Sequence, residues 1–145
     1  SELFAEEKEM IGKLKKVFLM VAGAAIQKFG TELDQHQQLL MAAANILNEV
    51  YMAESTILRA EKNAKRFGED TQEGQIAMAK LYLYNAREIV TTNGKEGIIS
   101  FAEGDEQRMM LMGLKRFTKY TNYPNVIALR NEIAEKLKAA NKYCF

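Results

Sequence analysis

The chain has 145 residues, enough for one domain with a real hydrophobic core. Hydrophobic residues make up 48% and charged residues 27%, the balance of an ordinary folded protein, which argues against disorder and against a membrane-embedded class. Twenty basic and nineteen acidic side chains leave a net charge of +1, so no strong field draws the chain to nucleic acid or an anionic membrane. A single cysteine, Cys144, cannot close an internal disulfide, so stability must come from packing and the expected compartment is the reducing cytoplasm. The longest apolar runs, Val17–Met20 and Met109–Met112, fall far short of the ~20 residues that span a bilayer. Because the first residue is Ser1, the chain is expected to be processed or excised from something larger.

Apolar residues recur with a period of about 3.6 almost end to end, and no segment alternates in the manner of a strand. The first helix runs from Leu3 to Phe29 on a stripe of Leu3, Met10, Ile11, Leu14, Val17, Phe18, Val21, Ala24, Ala25 and Phe29. Glu9 and Lys13 are spaced to pair on its wet side. Gly30 ends it, and Thr31 is placed to cap the next helix. That second helix spans Glu32 to Arg66, with Leu40, Ala43, Leu47, Val50, Tyr51, Ile57 and Leu58 facing inward, and Gly68 stops it. Asp70 and Glu73 have capping-box spacing ahead of a third helix, Thr71 to Thr92, closed by Asn93–Gly94.

The last third is more broken. A short helix over Lys95–Ala102 ends at Gly104, and Asp105 can cap a helix carrying Met109, Met110, Met112, Leu114 and Phe117. A turn over Thr121–Asn125, around the single proline Pro124, leads into a final helix with Val126, Ile127, Leu129, Ile133 and Leu137 inward, where Glu132 and Lys136 are spaced to pair. Short connections make successive helices antiparallel neighbours. The expected fold is therefore all-α: an up-and-down bundle of about four main helices with short extra helices near the C-terminus. Residues 1–145 are expected to form one domain.

A search for chemistry returns little. A ferritin-like di-iron centre needs several carboxylates and two Glu-x-x-His motifs, and the only histidine, His36, is expected to be a polar residue exposed near a helix start. One cysteine and one histidine are too few for a zinc site. Ser55 and Ser100 sit in helical patterns without a nearby base, and Cys144 reads as an incidental thiol. The glycines form no phosphate-binding loop. No catalytic, cofactor-binding or metal residue is assigned. Two features stand out. Arg108, Met109, Met112, Lys115, Arg116 and Lys119 form a basic, methionine-rich helix suited to an adaptable interface. Tyr82 and Tyr84, two residues apart, point to different sides of one helix, so at least one is not fully buried.

The stretches Gln75-Ile-Ala-Met-Ala-Lys-Leu-Tyr-Leu-Tyr84, Ala102-Glu-Gly-Asp-Glu-Gln-Arg-Met-Met-Leu-Met-Gly-Leu-Lys-Arg-Phe-Thr118, Ile127-Ala-Leu-Arg130 and Asn141-Lys-Tyr-Cys-Phe145 form a recognisable set, and Glu54-Ser-Thr-Ile-Leu-Arg-Ala-Glu61 fits it. Together they resemble the extra C-terminal domain of certain bacterial acyl-CoA dehydrogenases, similar in layout to the very-long-chain type. The likeness runs from about Val21 to the end. It implies that the flavin (FAD), the acyl-CoA thioester and the catalytic glutamate belong to a preceding part of a larger flavoprotein. It further implies that this segment is an accessory bundle packed on that catalytic body, without a flavin site of its own. The expected function is thus non-catalytic, stabilising or assembling an enzyme of fatty acyl-CoA oxidation, with the catalytic domains of the parent chain as partner. A homodimer is a second way to mask the apolar patch such a domain would expose. The alternative is a free-standing module docking to a membrane surface or protein partner through the basic helix at 105–120. A helical enzyme with a pocket inside the bundle ranks last, for want of a nucleophile or metal set.

Overall fold

The structure is a computed structural model that describes residues 2–140. Ser1, Cys144 and the Asn141–Phe145 ending lie outside the described residues. Among the described residues there are five α-helices and no strand: α1 (Ala5–Phe29), α2 (Gln37–Phe67), α3 (Glu73–Phe101), α4 (Gly104–Phe117) and α5 (Val126–Ala140). Short 3-10 turns, Gly30–Gln35 and Glu69–Thr71, follow α1 and α2.

Side-chain pairs fix the helix directions. Lys8–Glu61 and Lys15–Glu54 ion pairs, at 2.6 and 2.7 Å, step seven residues up α1 and seven down α2, so these two run antiparallel. A hydrogen bond from Asn45 to Asn93 (3.1 Å) ties α2 to α3, the most extensive pairing in the molecule. Gly94 of α3 lies against Leu114 of α4, while Glu73, at the start of α3, pairs with Lys136 of α5 at 3.1 Å. Both α4 and α5 therefore run antiparallel to α3, one along each half of it. They make a fourth column, broken between Thr118 and Asn125 around Pro124. The architecture is the expected helical bundle.

The stripe on α1 packs as its spacing predicts: Met10, Ile11, Leu14, Val17, Val21 and Ala25 are buried in one contiguous core. On α2 the expected phase is corrected by one position. Leu39, Ala42, Ile46, Val50, Ala53, Ile57, Ala60 and Ala64 face in, whereas Leu47, Tyr51 and Leu58 face out. The facing side of α3 also carries small residues, with buried Ala79, Ala86 and Gly97. Two alanine-rich ridges bring the backbones close, and bulky side chains on that seam would force them apart.

Asn93–Gly94 does not end a helix. α3 continues through it to Phe101, absorbing the expected Lys95–Ala102 helix. Gly94 has a packing role instead: a Cβ there would stand 2.9 Å from Leu114 Cδ1 and 3.4 Å from Val17 Cγ1. Gly68 does stop α2, in a conformation (φ 93°) that side chains rarely adopt. The expected caps are also corrected. Thr31 and Asp70 fall within the 3-10 turns, and α4 starts with Glu103 at its N-cap, so Asp105 sits in its first turn. At α5, Asn125 Oδ1 accepts from the Ala128 N–H (3.0 Å), a cap that spacing alone did not single out. Lys13 donates to the Lys119 carbonyl, and Glu9 accepts from the Thr121 hydroxyl at 2.8 Å. These bonds fasten α1 to the break in the fourth column.

Replacing Gly94 with valine should lower stability by about 1–3 kcal/mol through overpacking. Gly12, with no heavy atom in range of an added Cβ, provides the opposite case. Gly12→Ala should raise stability by about 0.5–1 kcal/mol. Urea unfolding followed by circular dichroism measures both.

Candidate interaction surface

The break in the fourth column closes over a polar cluster. Arg87 of α3 donates from Nη1 to the Thr118 carbonyl and from Nη2 to Glu88, each at 2.7 Å. Its guanidinium lies over three rings, Tyr84, Tyr120 and Tyr123, at 5.0, 5.6 and 5.8 Å from their centroids. Tyr120 is buried, and desolvation pushes its phenol well above the ordinary range, against the pull of Arg87. Buried Glu7 on α1 completes the cluster. Burial raises its carboxyl above the ordinary value of 4.5, partly countered by Lys80. Arg87 Nε is buried without a hydrogen-bond partner. An arginine stacked on aromatic faces and tied to a backbone carbonyl locks a chain reversal.

The basic, methionine-rich helix is α4. Arg108, Met112, Lys115 and Arg116 are exposed together on its outer side, Met112 at 64%, and Lys119 is exposed just beyond its end. Arg108 is held by an ion pair with Asp105. Met109, 72% exposed, borders a groove shared with Met20, Ala24 and Lys28, whereas Met110 and Leu114 enter the core. The methionine run thus divides between core and surface. Tyr84 stacks in the Arg87 cluster and Tyr82 lines a different groove, so the two tyrosines separate as their spacing predicts. His36 is half-buried, not exposed: it stacks on Phe29 at 3.7 Å between ring centroids.

The described residues do not fit a flavin dinucleotide. The groove beside Met109, of about 740 Å³, is apolar, and its one cation, Lys28, already donates to the Phe101 carbonyl. A second groove, about 470 Å³, sets four carboxylates, Glu69, Asp70, Glu73 and Glu132, against one cation, Lys80, a balance that would repel a pyrophosphate. A third groove, lined by Thr56, Arg59, Asn63, Gln75 and Tyr82, holds only about 250 Å³. That is below the ~300–1,000 Å³ of pockets that bury sizeable ligands. Among the described residues no cluster of three or more metal-ligating side chains occurs, and no helix is long and apolar enough to cross a membrane.

Two features were not singled out from the sequence. The arginine cluster carried a weak signal, Tyr84 with Arg87 one turn on and Tyr120 with Tyr123 beyond. The outer face of α2 was hidden by the error in helical phase.

Residues 13–116 match the family described as "Acyl-CoA dehydrogenase, C-terminal domain". A probable acyl-CoA dehydrogenase of Bacillus subtilis (strain 168) is 34% identical over 143 residues, covering 99% of this chain and 24% of that protein. The crystal structure of an acyl-CoA dehydrogenase complexed with FAD, from Bacillus anthracis, matches with a TM-score of 0.93 and 34% identity. That match covers 100% of this chain and 25% of the other. The chain therefore spans about a quarter of the length of both relatives.

In the fold, Glu7 keeps its proton to a higher pH than in the unfolded chain. The stability it contributes is greatest below 4.5 and is lost as pH rises through the folded value. Glu7→Gln, neutral at every pH, should raise the unfolding temperature at pH 7, with the gain shrinking towards zero below 4.5. Arg87→Ala should cost about 2–4 kcal/mol, combining a charged hydrogen bond with the aromatic stack. It should also speed proteolysis between Thr118 and Asn125. Calorimetry across pH and mapped limited digestion read these effects.

Proposed function

This chain belongs to the family of acyl-CoA dehydrogenase C-terminal domains, and we propose that it is the helical accessory domain of a larger, FAD-dependent acyl-CoA dehydrogenase. In this reading it takes no part in the chemistry. It stabilises or helps assemble the catalytic body, and the catalytic domains of the same polypeptide are its partner. The observation that carries the reading is the fold-level match of the whole chain to one quarter of a flavin-bearing relative. FAD and the acyl-CoA thioester would then lie in the remaining three quarters of the polypeptide. The proposed domain boundary is residues 1–145.

Docking to a membrane through the outer side of α4 gains nothing from the geometry. That side alternates charge with Met112, and Asp105 neutralises part of its basic character by pairing with Arg108.

A lysate of the native cells, blotted with an antibody raised to this chain, should show a band roughly four times its 16.5 kDa. The purified chain alone should be colourless. A native band at 16.5 kDa would sink the reading, as would one tightly bound flavin per chain.

A further inference from the structure

Helix α2 exposes large apolar side chains on its outer side, among the uncharged amides Gln37, Gln38, Asn45 and Asn48. Its inner side carries the alanine-rich seam, and its outer side exposes Met41, Leu47, Tyr51, Met52 and Leu58, Tyr51 at 68%. From Gln37 to Leu58 no exposed position bears a charge. The two carboxylates within that span, Glu49 and Glu54, are half-buried, and Glu54 pairs with Lys15. Solvated faces carry about 25–35% charged residues, and the outer side of α4 does so with Arg108, Lys115 and Arg116. A face that combines several large exposed apolar side chains with uncharged amides, and no exposed charge, differs from an ordinary solvated face.

The strip extends onto α1. Lys8–Glu61 and Lys15–Glu54 fill the lower part of the α1–α2 seam, and the next seven-residue step sets Ala22 opposite Leu47. There the ion pairs stop, and exposed Leu19 and Ile26 flank the seam. Loss of charge together with exposed tyrosine and methionine is the composition of an interface core, not of a wet surface.

We infer that the outer face of α2, with the adjoining upper half of α1, is where this domain docks onto the rest of its own polypeptide. The inference rests on the accessory-domain reading, which also supplies the occupant. Relatives are about four times as long as this chain, so a covalently attached body three times its size stands beside the bundle. The surface that meets α2 should be apolar and uncharged, with partners for the Tyr51 hydroxyl and the Asn48 amide.

Labelling of single cysteines in the full-length protein tests this. Leu47→Cys and Tyr51→Cys should react with a bulky maleimide at least tenfold more slowly than Arg108→Cys or Lys115→Cys, as read by peptide mass spectrometry. Leu47→Glu with Tyr51→Glu should let protease release the domain, while hydrogen exchange shows α3 still protected and hence folded. Equal labelling at all four positions would overturn the inference and leave the accessory-domain reading intact. Slow labelling on α4 alone would do the same, moving the docking face there. Protection at Leu47 and Tyr51 that is lost on dilution, as a dimer dissociates, would overturn it in favour of a second copy. A native protein of only 16.5 kDa would remove the accessory-domain reading itself.

Discussion

The close approach of α2 and α3 is the constraint on which the rest of this fold depends. Buried Ala42, Ala53, Ala60 and Ala64 on one helix face the side of the other that carries Ala79, Ala86 and Gly97. A Cβ at Gly97 would stand 3.7 Å from that of Ala42 and 3.5 Å from Leu39 and Val21, so three helices converge at this point. Small side chains bury little area each, and their benefit is density: the two backbones pack without voids. The cost appears on the far side of α2, where the large apolar residues cannot also face inward. The same seam that holds the bundle together turns Leu47, Tyr51 and Leu58 towards the outside.

The fourth column solves a different problem. Pro124 cannot continue a helix, and α4 and α5 must still lie along one partner. Arg87 bridges the gap with a hydrogen bond to the Thr118 carbonyl and a stack of tyrosine rings. Apolar residues could fill that space with comparable stability, but an arginine fork dictates where the chain reverses. Glu7, Glu9 and Lys13 of α1 surround the same reversal. The break is therefore held from α1 and from α3, while α5 beyond it buries no residue fully and leans on α3 through contacts such as Lys136–Glu73.

Much of the bundle was legible in the sequence, for identifiable reasons. In the lower half of α1 charged residues separate the apolar ones, so one phase buries Met10, Ile11, Leu14 and Val17, and the structure uses it. Gly30 and Gly68 mark helix ends because both take positive φ. Elsewhere one signal had two meanings. Asn93–Gly94 has the composition of a helix stop, yet Gly94 is there to admit Leu114, a demand visible only once α4 is in place. On α2 two apolar stripes compete, and size favours the wrong one, since burying Leu47 and Tyr51 releases more water than burying alanines. Tertiary closeness reverses that order. The surface of α4 was legible as a cluster, while the outer face of α2 was not, because its residues had already been assigned to the core.

That misassigned face is also the strongest physical argument for a tethered role. Side chains such as Leu47, Tyr51, Met52 and Leu58 would each contribute on the order of 1 kcal/mol when covered, a modest total once ordering costs are counted. Two free proteins at about 1 µM each need a Kd near ~0.1 nM to be 99% associated, far more than such a strip readily supplies. A domain on the same chain sees its partner at roughly millimolar effective concentration, so a Kd of only ~10 µM gives the same occupancy. A charge-free face of this size is weak as an advertisement to other molecules and sufficient for a neighbour on the same polypeptide. The arithmetic of a tether is what lets so modest a strip suffice in the docking proposed above.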